Sequence, residues 1–336
     1  MGRVSSDTPL RVQTPSRSRL QKARLLLLAI YFGFMIWHWQ RYGLPLERLQ
    51  VFAWMLGAVL ILRLGYSFRE LGILLFDWLP LVVLLAIYDL TRGLADTTGM
   101  PIQRESVIAI EKALFGSPVP PVRWQARFLQ PDNVVHWWEV ATSLTYFSHF
   151  IASFAVLAAL WVKSRTDFLA FRRRFLLLTA VGLTGYILLP TVPPWMASDA
   201  ELIGPIQRVG LRGFRVFHWE TADIFVSYGA RFSNRVAAMP SLHGGWSMLI
   251  AIFVCRYVPN WAKPFLFLYP ALMLFTLVVG GEHYILDVIA GFACAIAVSA
   301  GAGWWERRQR LGEPVSTPTQ DMRLQPLTAG TSVDNS

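Results

Sequence analysis

The sequence predicts an all-α, polytopic membrane protein, a bundle of about eight transmembrane helices. Three observations carry this reading. Hydrophobic residues make up 54% of the 336-residue chain and charged residues only 15%, against about a quarter charged in a typical water-soluble domain. The apolar residues gather into segments close to the ~20 residues that cross a bilayer core. Lys and Arg, which give a net charge of +10, divide unevenly between the two sets of connecting loops. In a soluble chain that charge would suggest nucleic acid. In a membrane chain it first marks the cytoplasmic loops, so no nucleic-acid partner is expected. Cys255 and Cys294 both fall in apolar runs, which argues against a disulfide framework or a zinc site.

In chain order the predicted spans are 23–39, 49–64, 70–90, 140–162, 173–190, 241–258, 264–280 and 283–305. The first follows a polar tail and lacks a small-residue cleavage site, so it reads as a span and not as a cleaved signal peptide. The second is short and holds Arg63 near its end. The fifth ends at Pro190-Thr191-Val192-Pro193-Pro194-Trp195, which breaks the helix at headgroup level. The sixth opens after Pro240, whose missing N–H suits a first-turn position. The eighth opens after Gly280-Gly281, where the chain can turn tightly. Between spans, 102–115 alternates apolar and charged residues at helical spacing and reads as a short interfacial helix. The chain thus divides into a disordered cytoplasmic tail (1–21), two accessory spans (22–69), a catalytic core of six helices with two long outer loops (70–305), and a second disordered tail (306–336).

Eight spans place both termini on one side. Nineteen of the 31 Lys and Arg lie on that side, with six in and just after the N-terminal tail, five at 163–174 and four in the C-terminal tail. The other twelve are mostly spread through two long loops, 91–139 and 190–240. Short basic loops stay in the cytoplasm, while long loops translocate largely regardless of charge. Both termini are therefore expected to be cytoplasmic and the long loops to face outward. Arg outnumbers Lys by 27 to four, a bias that points to a GC-rich genome and so to the cell membrane of a bacterium.

Ionisable residues at membrane helix ends are functional hypotheses by default. Two of the six histidines have informative neighbours. In Pro240-Ser241-Leu242-His243-Gly244-Gly245, Ser241 opens a helix, where free N–H groups and the helix dipole favour an anion. In Gly280-Gly281-Glu282-His283-Tyr284-Ile285-Leu286-Asp287, His283 and Asp287 are four apart and share a helix face. A carboxylate there can fix the imidazole tautomer and raise its basicity. Both helices run from outside to inside, so both histidines lie at the outer face and can meet in one site. Taken singly, each would more simply cap a helix.

These two motifs resemble the type 2 phosphatidic acid phosphatase superfamily. The Pro-Ser-Leu-His form with Gly-Glu-His-Tyr-x-x-Asp is most similar to its branch related to inositol phosphorylceramide synthase. The resemblance implies a six-helix phosphatase-like core over about 70–300 and a phosphohistidine mechanism. It assigns His283 as nucleophile, Asp287 as its orienting partner, and His243 as the acid and then the base. Ser241 and the backbone at Leu242 would bind phosphate oxygens. It implies no metal and no cofactor. The chain departs from the broader superfamily at Leu242, where that has Gly, at Leu277, where that has Arg, and in having no Arg-Pro.

The phosphate cradle must therefore take its cations elsewhere. Arg92, held by Asp89 at the outer end of the third span, can contact phosphate bidentately or form an ordinary helix-end ion pair. Arg235 is the best placed of five loop arginines, the others being Arg208, Arg212, Arg215 and Arg231. Tyr146 and His149 sit two to three turns inside the fourth span, where they line the pocket or make a buried structural contact. His136 and His218 carry no assignment, and His38 belongs with Trp37 and Trp39 in an interfacial belt.

The expected function is a lipid phosphotransferase moving a phosphoryl or inositol-phosphate-type group from a phospholipid or polyprenyl phosphate to a hydroxyl acceptor, at the outer face. Its partners would be that lipid phosphate, the acceptor and the membrane lipids. The alternatives are a phosphatase that uses water and a non-catalytic lipid-binding or flipping protein.

Overall fold

A computed structural model describes residues 17–42, 48–91, 99–129, 134–217 and 236–312. These form α1 (Arg17–Tyr42), α2 (Arg48–Leu62), α3 (Phe68–Thr91), α4 (Glu105–Phe115), α5 (Pro120–Phe128), α6 (Trp137–Lys163), α7 (Arg165–Leu188), α8 (Pro194–Asp199), α9 (Leu242–Val254), α10 (Lys263–Leu266), α11 (Leu268–Val279) and α12 (Ile285–Gly312). The protein is an all-α polytopic membrane bundle. Every predicted span overlaps helix, the sixth (241–258) running past the end of α9 and the seventh (264–280) taking in both α10 and α11. Among the described residues, five helical stretches are long and apolar enough to cross a bilayer on their own: Arg19–Tyr42, Phe68–Tyr88, Trp137–Lys163, Asn260–Val279 and Ile285–Gln309. Of the remaining three, two are short and one is broken by charge. α2 has 15 residues and α9 has 13, while α7 begins with Arg165 and carries Arg172, Arg173 and Arg174, leaving its apolar part to Phe175–Leu188.

The helix starts follow local chemistry. Ser164, between α6 and α7, accepts the Asp167 N–H and caps α7. His136, which the sequence left unassigned, is the N-cap of α6, and the Glu139 carboxylate accepts its N–H at 3.2 Å, a reciprocal capping box. The 102–115 segment forms α4. α5, α8 and a 3₁₀ turn at Arg212–Phe217 were not expected.

α9 is the central helix, with α6, α7, α11 and α12 around it. Its inner side and α7 form an aromatic core in which Phe168, Phe171, Phe175 and Phe253 are fully buried. α9 and α12 approach closely because small residues meet at the crossing. A Cβ on Gly291 would collide with the Ser241 carbonyl oxygen, and one on Gly244 would lie 2.8 Å from Val288 Cγ1. On the opposite side, Gly182 of α7 leaves room for the Leu242 side chain, and Gly185 for Pro240. The glycines thus set where His243 sits relative to α12.

The connecting segments form a cap over the N-terminal ends of α9 and α12. Thr191 makes isolated bridges with both Gln103 and Ala237. The buried Gln125 side chain donates to the Gln207 and Val279 carbonyls at 2.6 and 2.7 Å and accepts the Gln207 N–H at 2.9 Å. At the other end of the bundle, Arg173 and Arg174 both pair with Glu306 of α12 at 2.8 Å. Nearby, Arg165 grips the buried Asp77 of α3 with two hydrogen bonds. Ile285 and Glu306 are 21 positions apart, so at about 1.5 Å per residue the capped end and the basic end are separated by ~32 Å, about one hydrocarbon thickness.

Candidate active site

The two histidine motifs converge. The His243 and His283 ring centroids are 5.6 Å apart. Each motif is positioned by its own helix start. Ser241, fully buried, is the N-cap of α9 and its Oγ accepts the Gly244 N–H at 3.3 Å. Pro240 therefore precedes the cap and does not enter the first turn, because the serine side chain sets the boundary. The Leu242 side chain is buried against Gly182. What Leu242 offers locally is its N–H, 3.4 Å from the Tyr186 hydroxyl. The Ser241 N–H donates to the Asp287 carbonyl at 2.9 Å, which stitches the two motifs together.

His283 lies in the turn ahead of α12 and not in the helix itself. Gly281 makes this turn possible. Its φ is +73°, and a Cβ there would meet Ile206 Cγ2 at 2.6 Å. The Glu282 and His283 N–H groups both donate to the Leu277 carbonyl, so Leu277 holds the turn through its backbone while its side chain is fully buried. Tyr284 is then the N-cap, and Asp287, three residues on, accepts its N–H at 2.9 Å through Oδ2, half of a capping box. The same Oδ2 is 3.4 Å from His283 Nδ1. That is an ion-pair distance without a formed hydrogen bond; Asp287 Oδ1 and His283 Nδ1 are both buried and make none. Nδ1 faces the carboxylate, which leaves Nε2 as the nitrogen for a reacting atom.

His243 is framed by α6. His149 packs against it with centroids 3.9 Å apart and the rings tilted by 31°, and Trp246 stacks on the far side of His149 at 4.6 Å and 10°. Tyr146 stacks on His243 at 5.2 Å. Tyr146 and His149 are thus brought to the predicted catalytic pair. Arg92, Arg235 and the side chain of Asp89 lie outside the described residues.

Among the described residues, Arg208 is the loop arginine that the fold brings beside the His283 turn. Its Nε donates to Glu282 Oε1 at 2.7 Å, beside His283, and its guanidinium interacts with the Tyr146 hydroxyl and lies over the Trp195 ring. Burial works against its charge, but Glu282 and Tyr146 more than offset this and hold the guanidinium ionised. Arg212 is committed elsewhere, paired with Glu139 at 3.2 Å, and Arg215 is exposed. Nothing local in the sequence separates Arg208 from the other loop arginines, since its partner Glu282 is 74 positions away.

One more residue was not foreseen. Glu111 of α4 is fully buried, and its carboxylate oxygens accept the Ile285 and Leu286 N–H groups at 2.9 and 3.2 Å. Its position in an amphipathic helix between the predicted spans gave no signal of this, because the contact spans 174 residues.

Residues 106–301 match the family model of the PAP2 superfamily. The chain is also similar to the phosphoinositol dihydroceramide synthase of Bacteroides thetaiotaomicron, with 27% identity over 254 residues, 69% of this chain and 76% of the relative. No solved structure gives a significant match. The family match covers more than half of the chain and contains His243, His283 and Asp287 with the helices that position them: the protein belongs to the PAP2 superfamily.

Proposed function

We propose that this integral membrane protein is a lipid phosphotransferase that works through a phosphohistidine on His283, with its site on the extracytoplasmic face. The observation that carries the reading is the convergence of His243, His283 and Asp287. Family membership and the similarity to a lipid synthase support lipid phosphoryl transfer or phosphatase chemistry. The donor is a lipid phosphodiester or phosphate, and the acceptor is the hydroxyl of a second amphiphile or a polyol.

In the first step His283 Nε2 attacks phosphorus, the P–N bond forms, and the P–O bond to the leaving group breaks. His243 gives its proton to the departing alkoxide. Charge builds on the His283 ring, and Asp287, at ion-pair distance from Nδ1, stabilises it. In the second step His243 takes the proton from the acceptor hydroxyl, whose oxygen attacks phosphorus and expels His283. Arg208 leaves or shares Glu282 to meet the phosphate oxygens, supplying the positive charge that Leu277 cannot. Ser241 and the first amides of α9 complete the cradle. Arg92, Asp89 and Arg235 remain proposed headgroup contacts, and Tyr146 and His149 line the pocket. In this reading neither a metal nor a cofactor takes part.

The test is turnover of a fluorescent phosphatidylinositol whose acyl chain carries the dye. Release of labelled diacylglycerol reports the first step whatever the acceptor. Adding dihydroceramide and following the phosphoinositol group separates transfer from hydrolysis, and free inositol phosphate as the main product would show that water is the acceptor. His283→Ala should abolish release, and labelled phosphate trapped on the wild-type enzyme should be acid-labile and sit at His283. Full activity in His283→Ala would falsify the mechanism. Activity should also survive EDTA.

A further inference from the structure

We propose that Glu111 is a positioning residue for the transfer reaction: from α4 it holds the first two amides of α12 and so fixes the height and orientation of the His283–Asp287 pair. The inference rests on the role of His283 proposed above.

A helix start leaves its first N–H groups without intrahelical partners, and a short polar side chain at the N-cap normally takes one. At α12 the N-cap is Tyr284, whose hydroxyl is too far from its own backbone to serve. Asp287 covers the Tyr284 N–H, and Glu111 accepts the next two, from Ile285 and Leu286. Two carboxylates from different parts of the chain therefore secure one helix end. Asp287 is simultaneously the partner of His283, so whatever moves the first turn of α12 moves the catalytic pair.

The environment is apolar apart from these groups. Glu111 is fully buried, as are Val107, Ile108 and Tyr284 around it. The titratable groups that act on it are Asp287 and, on the same turn, Tyr284. Burial pushes the Glu111 carboxyl up to about 6, with Asp287 adding to the rise and the two N–H donors opposing it. At neutral pH it is the ionised form that two amides grip, because a protonated carboxyl would give up one acceptor position. An ionised Glu111 also places a second negative charge near the imidazole that must become positive in the transition state.

The experiment compares wild type, Glu111→Gln, Glu111→Asp and His283→Ala in the acyl-labelled phosphatidylinositol release assay, from pH 5 to 9. Glu111→Gln keeps the size but loses the charge and one acceptor. It should lower kcat at least tenfold with KM within twofold, and shift the acid limb of the rate profile to lower pH. Glu111→Asp keeps the charge but shortens the reach, so it should lower kcat and leave the acid limb in place. Wild-type kcat with a superimposable profile in Glu111→Gln overturns the proposal. If Glu111→Gln fails to give a monodisperse peak in size exclusion, Glu111→Asp decides, and wild-type kcat there overturns the proposal equally. Loss of both folded variants reduces Glu111 to a folding residue and also overturns it. Release that persists in His283→Ala instead removes the underlying mechanism.

Discussion

His149 lies between the rings of His243 and Trp246, with centroids at 3.9 and 4.6 Å. A ring so placed either contacts substrate or holds His243 in its working orientation, and two substitutions separate these roles. A phenylalanine ring in its place would keep an aromatic face for stacking but could make no hydrogen bond. If orientation is the role, His149→Phe should retain most turnover, while His149→Ala should lose tenfold or more as His243 gains freedom to rotate. Equal inactivity in the two variants would assign His149 to substrate contact. Such roles are only half legible in the sequence. Pro240-Ser241-Leu242-His243 and His283-x-x-x-Asp287 declare themselves by spacing along the chain, and the structure brings them together. Arg208 and Glu111 do not, because their partners are 74 and 174 positions away, and no local pattern encodes a pairing that the tertiary fold creates.

The helices that carry the site are set by small residues and by caps. Gly291 allows α12 to touch the Ser241 carbonyl, and any Cβ there collides with backbone. Gly291→Ala should therefore push α9 and α12 apart, with an overpacking cost of about 1–3 kcal/mol. Its effect on turnover should be larger, since a displacement near 1 Å between reacting groups can cost roughly a hundredfold. A melting temperature that falls while activity per folded molecule stays at wild type would show that the crossing does not set the catalytic spacing. Glu111 makes a pH prediction for the same helix end. Its folded-state value, about 6, is above the ordinary 4.5, so its contribution to stability is complete below 4.5 and is lost as pH rises through 6. The loss is on the order of 2 kcal/mol. Thermal unfolding of wild type minus Glu111→Gln, scanned from pH 4.5 to 7, should show this fall, and a flat difference would contradict it. Apolar runs of span length made the long helices legible. α5 and α8 were missed because both are short, start at prolines and lack a span-length apolar run.

At the scale of the whole molecule, charge and chemistry sit at opposite ends. The Arg173, Arg174 and Glu306 cluster lies ~32 Å along α12 from Ile285, and the histidines, Arg208 and the capping segments occupy the other end. Positive charge next to short loops favours the cytoplasm, so the basic end should be inside and the histidines should meet lipids of the outer leaflet. Ala113 on α4 and Thr166 at the start of α7 are both exposed and belong to the two ends. Each can report its side as a single cysteine once Cys255 and Cys294 are replaced by alanine. A membrane-impermeant maleimide should label Ala113→Cys in intact cells and Thr166→Cys only after permeabilisation. The opposite labelling would place the site in the cytoplasm, where it would meet a different pool of lipid donors, and the excess of Lys and Arg at the basic end would then have to be explained by something other than retention. Both variants should retain release of the labelled diacylglycerol, because neither position contacts the histidine pair. The labelling then reports the orientation of an active enzyme, and through it which leaflet supplies the lipid that His283 attacks in the proposed mechanism.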